Sequence, residues 1–231
     1  MAKILSKEEY NRYFCDQGKI CAADIAQLSV ISGHLTAIDY SEADMVGGEY
    51  TPHYTQTIEN GEYNVKVSLV DYGTGGYRVA AAKIEFVDEE PAYFKMALYE
   101  NQDISKLPEG YFYGFDIDSG MAIIADSNVL NEYYEILEQF DDNEDVISPA
   151  IEYYMANIEN EFDDSYKKFP EYKISYVDYV VPQTSHHMLF IETGMGDGTY
   201  PVYFGYSEEG NLCCAVIQFI FLGITLRQQD D

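Results

Sequence analysis

Apolar and polar residues alternate most regularly along residues 61–87, and this pattern gives the clearest structural prediction of the chain. In GEYNVKVSLV, the apolar residues Val65, Val67 and Leu69 are separated by polar residues, as in a strand with one buried and one hydrated face. The glycines of GTGG at 73–76 can adopt the positive φ values that a tight turn needs, and YRVAAAKIEFV follows as a partner strand. The segment is therefore predicted to be a β-hairpin.

Shorter apolar runs on both sides of this hairpin predict further strands. LSVISGHLTAID, residues 28–39, has a strand pattern that is interrupted at Ser32 and Gly33. Two or three more strands are predicted in AYFKMALYE and GYFYGFDIDSGMAIIAD. Four are predicted in the last third of the chain, in EYKISYVDYVV, HHMLFIET, YPVYFGY and LCCAVIQFIFL. The last two are joined by SEEGN, which is typical of a hairpin turn.

Two segments follow the spacing of a helix instead. SNVLNEYYEILEQF places Val129, Tyr133 and Ile136 on one helical face, and SPAIEYYMANIENEF begins with Ser-Pro, a helix start signal. Residues 127–170 are therefore predicted to form an acidic two-helix insertion. Residues 1–27 are predicted to be helical and peripheral, because SKEEYNRYF begins with a capping-box pattern.

These elements together predict an α+β fold, mostly antiparallel β-sheet with a β-rich, sandwich-like core. Strands interrupted by so few helices disfavour a repeating βαβ fold. No internal repeat is evident, and a chain of 231 residues is compatible with one large domain. We expect a single domain over residues 1–231, with the short N-terminal helix, the mid-chain insertion and a polar tail at 224–231.

The net charge changes which partners the protein is expected to bind. The chain has 41 acidic and 13 basic residues, for a formal net charge of −28. Nucleic acids and anionic membranes are disfavoured as partners, because affinity for phosphate depends on lysine and arginine. The charge is consistent either with solubility in a crowded cytoplasm or with a surface that attracts a basic protein.

Acidic residues concentrate in the predicted insertion, where thirteen acids and two lysines lie between residues 132 and 171. A solvated helical face is one explanation of such a run, and a docking surface for a basic partner is the other. The candidate partner-binding residues are Glu132, Glu135, Glu138, Asp141, Asp142, Glu144 and Asp145.

The apolar runs and the cysteines indicate the cellular compartment in which the protein is expected. No run near the N-terminus resembles a signal peptide, and the longest apolar-rich stretch, residues 212–226, falls short of the roughly 20 residues of a membrane span. We therefore expect a cytoplasmic protein with no membrane partner. None of the four cysteines forms a C-x-x-C pair, so free and mostly buried thiols are expected.

Two carboxylates in DIDSG, residues 116–120, are the candidate metal ligands. Asp116 and Asp118 fall on the same face of a strand, and paired carboxylates bind divalent cations or act in acid–base chemistry. Exposed aspartates at a strand end are the alternative. An EF-hand is excluded, because its sixth and twelfth positions would be Met121 and Ser127.

The sequence lacks the other catalytic motifs that we considered. His186 and His187 are adjacent, so in a strand their side chains point in opposite directions and cannot bind one metal together. Neither a phosphate-binding G-x-x-x-x-G-K-[ST] loop nor a G-x-S-x-G nucleophile elbow is present. No nucleotide cofactor is expected, and an enzymatic function is not favoured.

The segment GMGDGTYPVYFG, residues 194–205, is the most unusual in composition. Its Asp-Gly pair is typical of a hairpin turn, and its other glycines suit a tight or bulged connection. The aromatic residues beside it would also suit the wall of a cleft. A structural turn that borders a cleft is the favoured interpretation, and the candidate ligand loop consists of Gly196, Asp197, Gly198 and Tyr200.

Four of these segments, taken in order, resemble a bacterial domain family of unknown function, numbered 4241. The similar segments are SGHLTAID, the hairpin GEYNVKVSLV with RVAAAKIEF, YGFDIDSGMAIIAD, and TGMGDGTYPVYFGYSEEGNL, the most specific of them. They cover most of the chain from Ser32 to Phe219. Members often continue the first segment with proline after aspartate, where this chain has Tyr40, and often carry tryptophan where this chain has other apolar residues. The resemblance implies a fold and no established reaction.

Two hypotheses about function follow. The first is a non-enzymatic, acidic binding protein, such as an immunity protein that inhibits a basic toxin or effector. The second is a small-molecule or divalent-metal-binding protein, or a hydrolase-like enzyme, that uses an aspartate cluster beside the glycine-rich loop. The second requires that Asp39, Asp116, Asp118, Asp126 and Asp197 converge.

Overall fold

The computed structural model of the chain describes residues 2–14, 20–42, 51–141 and 174–222. Its helices are α1 (Lys7–Phe14) and α2 (Ser127–Asp141). Its strands are β1 (Ile20–Val30), β2 (Leu35–Asp39), β3 (Gly61–Asp71), β4 (Tyr77–Glu85), β5 (Tyr93–Met96), β6 (Phe115–Ile117), β7 (Met121–Asp126), β8 (Tyr176–Val180), β9 (His187–Glu192), β10 (Gly198–Tyr200), β11 (Val202–Tyr206) and β12 (Leu212–Gln218).

The described strands form two sheets and a short ribbon, and all their pairings are antiparallel. The six-stranded sheet has the order β1-β3-β4-β12-β11-β5, and the four-stranded sheet has the order β2-β7-β9-β8. The ribbon pairs β6 with β10. The prediction of a mostly antiparallel β-structure is confirmed, while the sandwich-like arrangement and the two-helix insertion stay predictions.

The four-stranded sheet is buried on both of its faces. On β7, Ala122 and Ile124 pack into the main core, which they share with the six-stranded sheet. Ile123 and Ala125 point the other way, into a second core that Tyr133 of α2 helps to form. This arrangement explains why MAIIAD shows no alternation of apolar and polar residues, since a strand buried on both faces has no hydrated side.

Both predicted hairpins are confirmed. β3 and β4 pair in the register Val65 to Ile84, and Gly73 and Gly76 at their connection have φ values of 65° and 74°. β11 and β12 also pair directly, with Gly210 at a φ of 88° in the turn. These positive φ values favour glycine because other residues meet a steric penalty there.

Two local predictions are corrected by the structure. Residues 20–27 were predicted to be helical, but they lie in β1, whose apolar side chains face the core. The Asp-Gly pair at 197–198 does not form a hairpin, because β10 pairs with β6 and not with the preceding strand β9. The segment therefore crosses from one sheet to another.

The first helix of the predicted insertion is present as α2. Its residues Val129 and Tyr133 are buried, as the helical spacing predicts. The second predicted helix and the tail at 224–231 lie outside the described residues. In the part of the chain that the structure describes, no helix is long and apolar enough to cross a membrane.

Candidate functional site

The glycine-rich loop is held as a compact structural connection. The Thr193 hydroxyl donates a hydrogen bond to the Gly196 carbonyl at 2.6 Å, and the Tyr200 hydroxyl donates to the same oxygen at 2.6 Å. A Cβ atom at Gly194 would lie 2.1 Å from the carbonyl oxygen of Val79. The close approach of two backbones therefore accounts for the glycine at 194.

A cationic side chain anchors this loop to the β3–β4 turn. Arg78 donates a hydrogen bond to the Gly194 carbonyl at 3.2 Å, and its guanidinium lies 5.0 Å from the ring centre of Tyr72. Asp197 is exposed, and Tyr200 is buried. The loop of Gly196, Asp197, Gly198 and Tyr200 thus has a structural explanation, while its role in ligand binding stays a prediction.

Two of the five candidate aspartates are buried and bind backbone groups. Asp39, which is 2% exposed, accepts hydrogen bonds from the backbone N–H of Ser41 and Ser119. A third bond comes from the N–H of Asp118. Burial alone would raise the pKa of Asp39, but these bonds outweigh burial and lower it. The carboxylate of Asp39 therefore holds the β6–β7 turn against β2.

Asp126 has a similar structural role at the other end of β2. One oxygen accepts from the N–H and the hydroxyl of Ser32, and the other accepts from the N–H of Asn128 at 2.9 Å. The bond to Asn128 caps the first turn of α2. Asp39 lies opposite Ala122, and Leu35 lies opposite Asp126, so the two carboxylates lie about 13 Å apart along the strands.

The remaining candidate aspartates are exposed. Asp116 accepts a hydrogen bond from the Thr199 hydroxyl, and Asp118 and Asp197 lie at the end of the β6–β10 ribbon. The pKa of Glu42 is raised by its partial burial and by the negative charges of Asp39, Asp116 and Asp118. The structure thus brings some of these carboxylates near each other and leaves Asp126 apart.

Among the described residues, no group of three or more histidine, cysteine, aspartate and glutamate side chains is arranged to hold a metal ion. Asp116 and Asp118 as divalent-cation ligands therefore stay a prediction.

The predicted partner-binding residues divide into four groups. Glu132 Oε2 lies 2.7 Å from His186 Nδ1, and this contact ties α2 to the residue before β9. Glu135 is exposed. Glu138 and Asp141 belong to α2, but their side chains are outside the description, and Asp142, Glu144 and Asp145 lie beyond the described residues altogether.

The second histidine belongs to a polar network between sheets and not to a catalytic triad. His187 Nδ1 lies 2.7 Å from Asp178 Oδ1, and the backbone N–H of His187 donates to the Ser29 hydroxyl at 2.7 Å. That hydroxyl donates to Glu62. A nucleophilic serine would have its hydroxyl on the imidazole ring, so this geometry supports no acyl-transfer chemistry.

The structure reveals one concave surface that sequence reasoning missed. Two cavities, of about 450 and 580 Å³, share the turn Glu89, Glu90 and Pro91 as a wall. We call them together the acidic groove. The groove is lined by seven carboxylates and two lysines, namely Glu62, Glu85, Asp88, Glu89, Glu90, Glu208, Glu209, Lys7 and Lys83.

The floor of the acidic groove is already neutral. The Lys83 ammonium lies 2.7 Å from Glu85 Oε1 and donates to the Tyr10 hydroxyl at 3.2 Å. Burial would raise the pKa of Glu85, but the neighbouring Lys83 and Lys66 lower it. At the rim, which consists of the exposed turns 88–90 and 208–209, Glu90 pairs with Lys7 at 3.0 Å. The groove carboxylates without a lysine partner among the described residues are the exposed Glu62, Asp88, Glu89, Glu208 and Glu209.

Each rim turn is visible in the sequence, as DEEP after β4 and SEEGN between β11 and β12, but their proximity is not. The turns meet because β4 and β12 are neighbours in the sheet and because the N–H groups of Phe86 and Val87 both bond the carbonyl of Cys213. The described thiols at this floor are not reactive groups, since burial raises the pKa of Cys214 to about 12.

Comparisons with known proteins identify one family. The model of the family described as Protein of unknown function (DUF4241) matches residues 28–217. The match begins within β1 and ends within β12, so it spans both sheets and leaves α1 outside. No curated protein and no solved structure matches the chain.

Proposed function

The chain belongs to the DUF4241 family, whose description names no activity, and we propose from its charges that it is a non-enzymatic binding module for a basic protein. Binding would be driven by complementary charge, which accelerates diffusional encounter and disfavours acidic competitors. The partner is proposed to be a toxin or effector that this cytoplasmic protein inhibits by occlusion, as an immunity protein does.

The observation that carries this proposal is that the described basic side chains are already engaged. Each bonds an acid or a carbonyl, or lies over an aromatic ring, so every described lysine and arginine has a contact within the chain. These residues are Lys3, Lys7, Arg12, Lys66, Arg78, Lys83, Lys95 and Lys106. The net charge of −28 is therefore available to attract a basic partner.

An affinity pulldown tests the proposal. The chain is immobilised and exposed to lysate of its source organism at low salt and at about 0.15 M salt, where screening is felt beyond roughly 8 Å. An unrelated bait of matched size and net charge is the control. We expect a basic protein to remain on this chain, and not on the control, at the higher salt. Identical retention by both baits, or no retention by either, would contradict specific binding.

A second candidate function, divalent-metal or small-molecule binding at the aspartates, is favoured by one observation, the raised pKa of Glu42 beside Asp39, Asp116 and Asp118. A bound cation would relieve this repulsion. Thermal unfolding with and without Ca²⁺ or Mg²⁺, in the wild type and in Asp116→Asn/Asp118→Asn, tests it. A cation-dependent rise in Tm that the double variant lacks would support this function, and equal responses would oppose it.

A further inference from the structure

We propose that the acidic groove is the docking site, and that it receives an arginine side chain from an extended basic segment of the partner. This inference rests on the proposed function and deepens it, because it names the surface and the chemical group that is recognised. It also moves the predicted contact from the helical insertion to the turns after β4 and β11.

The charges at the rim are the first argument. Asp88 and Glu208 are exposed and have no hydrogen-bond or ion-pair partner among the described residues. Glu89 contacts only the amide of Asn211, at 3.3 Å, and Glu209 accepts only from the Ser207 hydroxyl, at 3.0 Å. Asp88 and Glu89 line one cavity of the groove, and Glu89, Glu208 and Glu209 line the adjoining one. None of the four has an ion-pair partner among the described residues, so an incoming guanidinium would find acceptors without displacing an existing ion pair.

The walls of the groove are the second argument, since they are not polar throughout. Val87, which lines the groove, is 45% exposed, and this is unusual for a large apolar side chain of the described region. Phe86 packs against Tyr63 in the wall of the same cavity, with the two ring centres 5.1 Å apart. Apolar and aromatic surface surrounded by acids matches the aliphatic stem and planar head of arginine.

Arginine is favoured over lysine for a geometric reason. A guanidinium is planar, donates two parallel hydrogen bonds to a carboxylate and stacks on aromatic rings, whereas an ammonium is a compact, strongly hydrated charge. The chain itself uses this contact, since Arg78 lies over Tyr72. An acidic or phosphorylated partner is excluded from the groove by like-charge repulsion.

The groove is also preformed, which favours binding. Phe86 and Val87 are fixed by backbone bonds to Cys213, and Ala92 is fixed by a bond from its N–H to Tyr206. A Cβ at Gly205 would lie 2.8 Å from Cys214 Sγ and 2.9 Å from Pro91, so the layers beneath the turn are in close contact. A rigid site loses little conformational entropy on binding.

NMR titration of the isotope-labelled chain tests the inference directly. The probe is an acetylated, amidated arginine-rich peptide, with its citrulline and lysine analogues as comparisons. We expect amide shifts concentrated at residues 86–92 and 207–212 with the arginine peptide, weaker shifts with the lysine peptide and none with citrulline. Shifts concentrated on α2, or on the β6–β10 ribbon, would overturn the groove as the docking site.

Two variants with equal net charge make the test quantitative. Asp88→Asn/Glu208→Gln removes two charges at the rim, and Glu59→Gln/Glu100→Gln removes two exposed charges that do not line the groove. Because exposed ion pairs contribute roughly 0.2–1 kcal/mol each, the loss of two should make the rim variant bind the arginine peptide about two- to thirtyfold more weakly. The control variant should change affinity by less than about twofold.

The outcomes separate the groove from the proposed function. Equal losses in the two variants would overturn the groove, although a basic protein captured in the pulldown would still support a binding module. If a basic protein is captured and binds only the rim variant more weakly than the wild type, the result supports both the binding function and the groove as its site. An unchanged Tm in the two variants, whose altered residues are exposed, checks that folding is not the cause.

Discussion

At position 194 the chain has room for a hydrogen atom and for nothing larger. The nearest obstacle to a side chain is the carbonyl oxygen of Val79 on β4, 2.1 Å from the position of a Cβ. Gly196, two residues on, differs in its constraint, since it has a φ of 78° and open space around it. A side chain at position 194 would therefore clash with a neighbouring backbone, whereas a side chain at position 196 would only strain its own backbone conformation.

We expect Gly194→Ala to lower the free energy of unfolding by about 3 kcal/mol or more, because neither backbone can move without breaking the sheet. Gly196→Ala should cost only about 1 kcal/mol, the strain of a left-handed alanine. Urea unfolding of both variants measures the difference. Equal losses of unfolding free energy in the two variants would show that the close contact with Val79 is not what requires glycine at position 194.

The buried carboxylate of Asp39 leads to a prediction about pH. Its pKa is lowered in the folded protein, from a reference value of 3.8, so its contribution to stability is present above that value and is lost as the pH falls through the folded pKa. Asp39→Ala should cost about 3 kcal/mol near neutral pH, because it leaves three N–H groups without their charged acceptor.

The cost of Asp39→Ala should begin to shrink as the pH falls below about 3.8, where the unfolded wild-type chain takes up a proton that the folded chain does not, and should disappear as the pH falls through the lowered folded pKa. Unfolding curves between neutral pH and pH 3 follow this change. Asp88→Ala is the control, since Asp88 is exposed and has no partner among the described residues, and it should stay within about 0.5 kcal/mol of the wild type. A cost that does not depend on pH would contradict the assigned role of the ionised group.

At the scale of elements, α1 shows how a short segment is fixed by residues far away in the chain. Tyr13 is 1% exposed, donates a hydrogen bond to the Ile220 carbonyl at 2.6 Å and accepts one from Gln218 Nε2 at 2.5 Å. Burial raises the pKa of Tyr13 to about 12, so the hydroxyl stays protonated and can donate. The helix thus belongs to the core, although it lies outside the matched family region.

We expect Tyr13→Phe to lower the free energy of unfolding by about 2 kcal/mol, because the fully buried Gln218 amide would lose its acceptor. Tyr111→Phe is the matched control, since Tyr111 is 64% exposed, and it should be neutral within about 0.5 kcal/mol. Chemical denaturation of both variants compares them. A neutral Tyr13→Phe would mean that the buried amide finds another partner.

The elements also show which predictions a sequence can support. The β3–β4 hairpin was predictable because Gly73 and Gly76 connect strands that are adjacent in the chain, and α2 was predictable because its apolar spacing is local. The crossing at Gly198 was not, since the Asp-Gly pair is equally compatible with a hairpin and with a strand that pairs elsewhere. Sheet order depends on contacts between distant segments, which no local pattern specifies.

The candidate sites were predictable to a smaller extent. Asp39 and Asp126 were predicted to converge with three other aspartates on a ligand site, but both are buried and accept hydrogen bonds from backbone N–H groups. The acidic groove was missed because its rim combines Asp88 and Glu208, which are brought together only by the neighbouring strands β4 and β12. Charge can be counted in a sequence, whereas its location on a surface depends on topology.

At the scale of the whole molecule, a net charge of −28 opposes compactness, because folding brings like charges closer together. We expect the free energy of unfolding to rise between very low salt and about 0.15 M sodium chloride, as repulsion is screened. Urea unfolding at several salt concentrations measures this trend. A decrease over that range would mean that attractive ion pairs such as Lys83 with Glu85 outweigh the repulsion.

The burial of β7 on both faces limits how the length of this protein can vary among relatives. Because successive side chains of a strand point to opposite faces, inserting or deleting one residue in β7 would send Ile123 and Ala125 toward the main core, and Ile124 toward α2. Both cores would then contain side chains of β7 that do not fit their packing. Insertions and deletions should therefore accumulate in turns such as 72–76, while the number of residues in β7 stays constant.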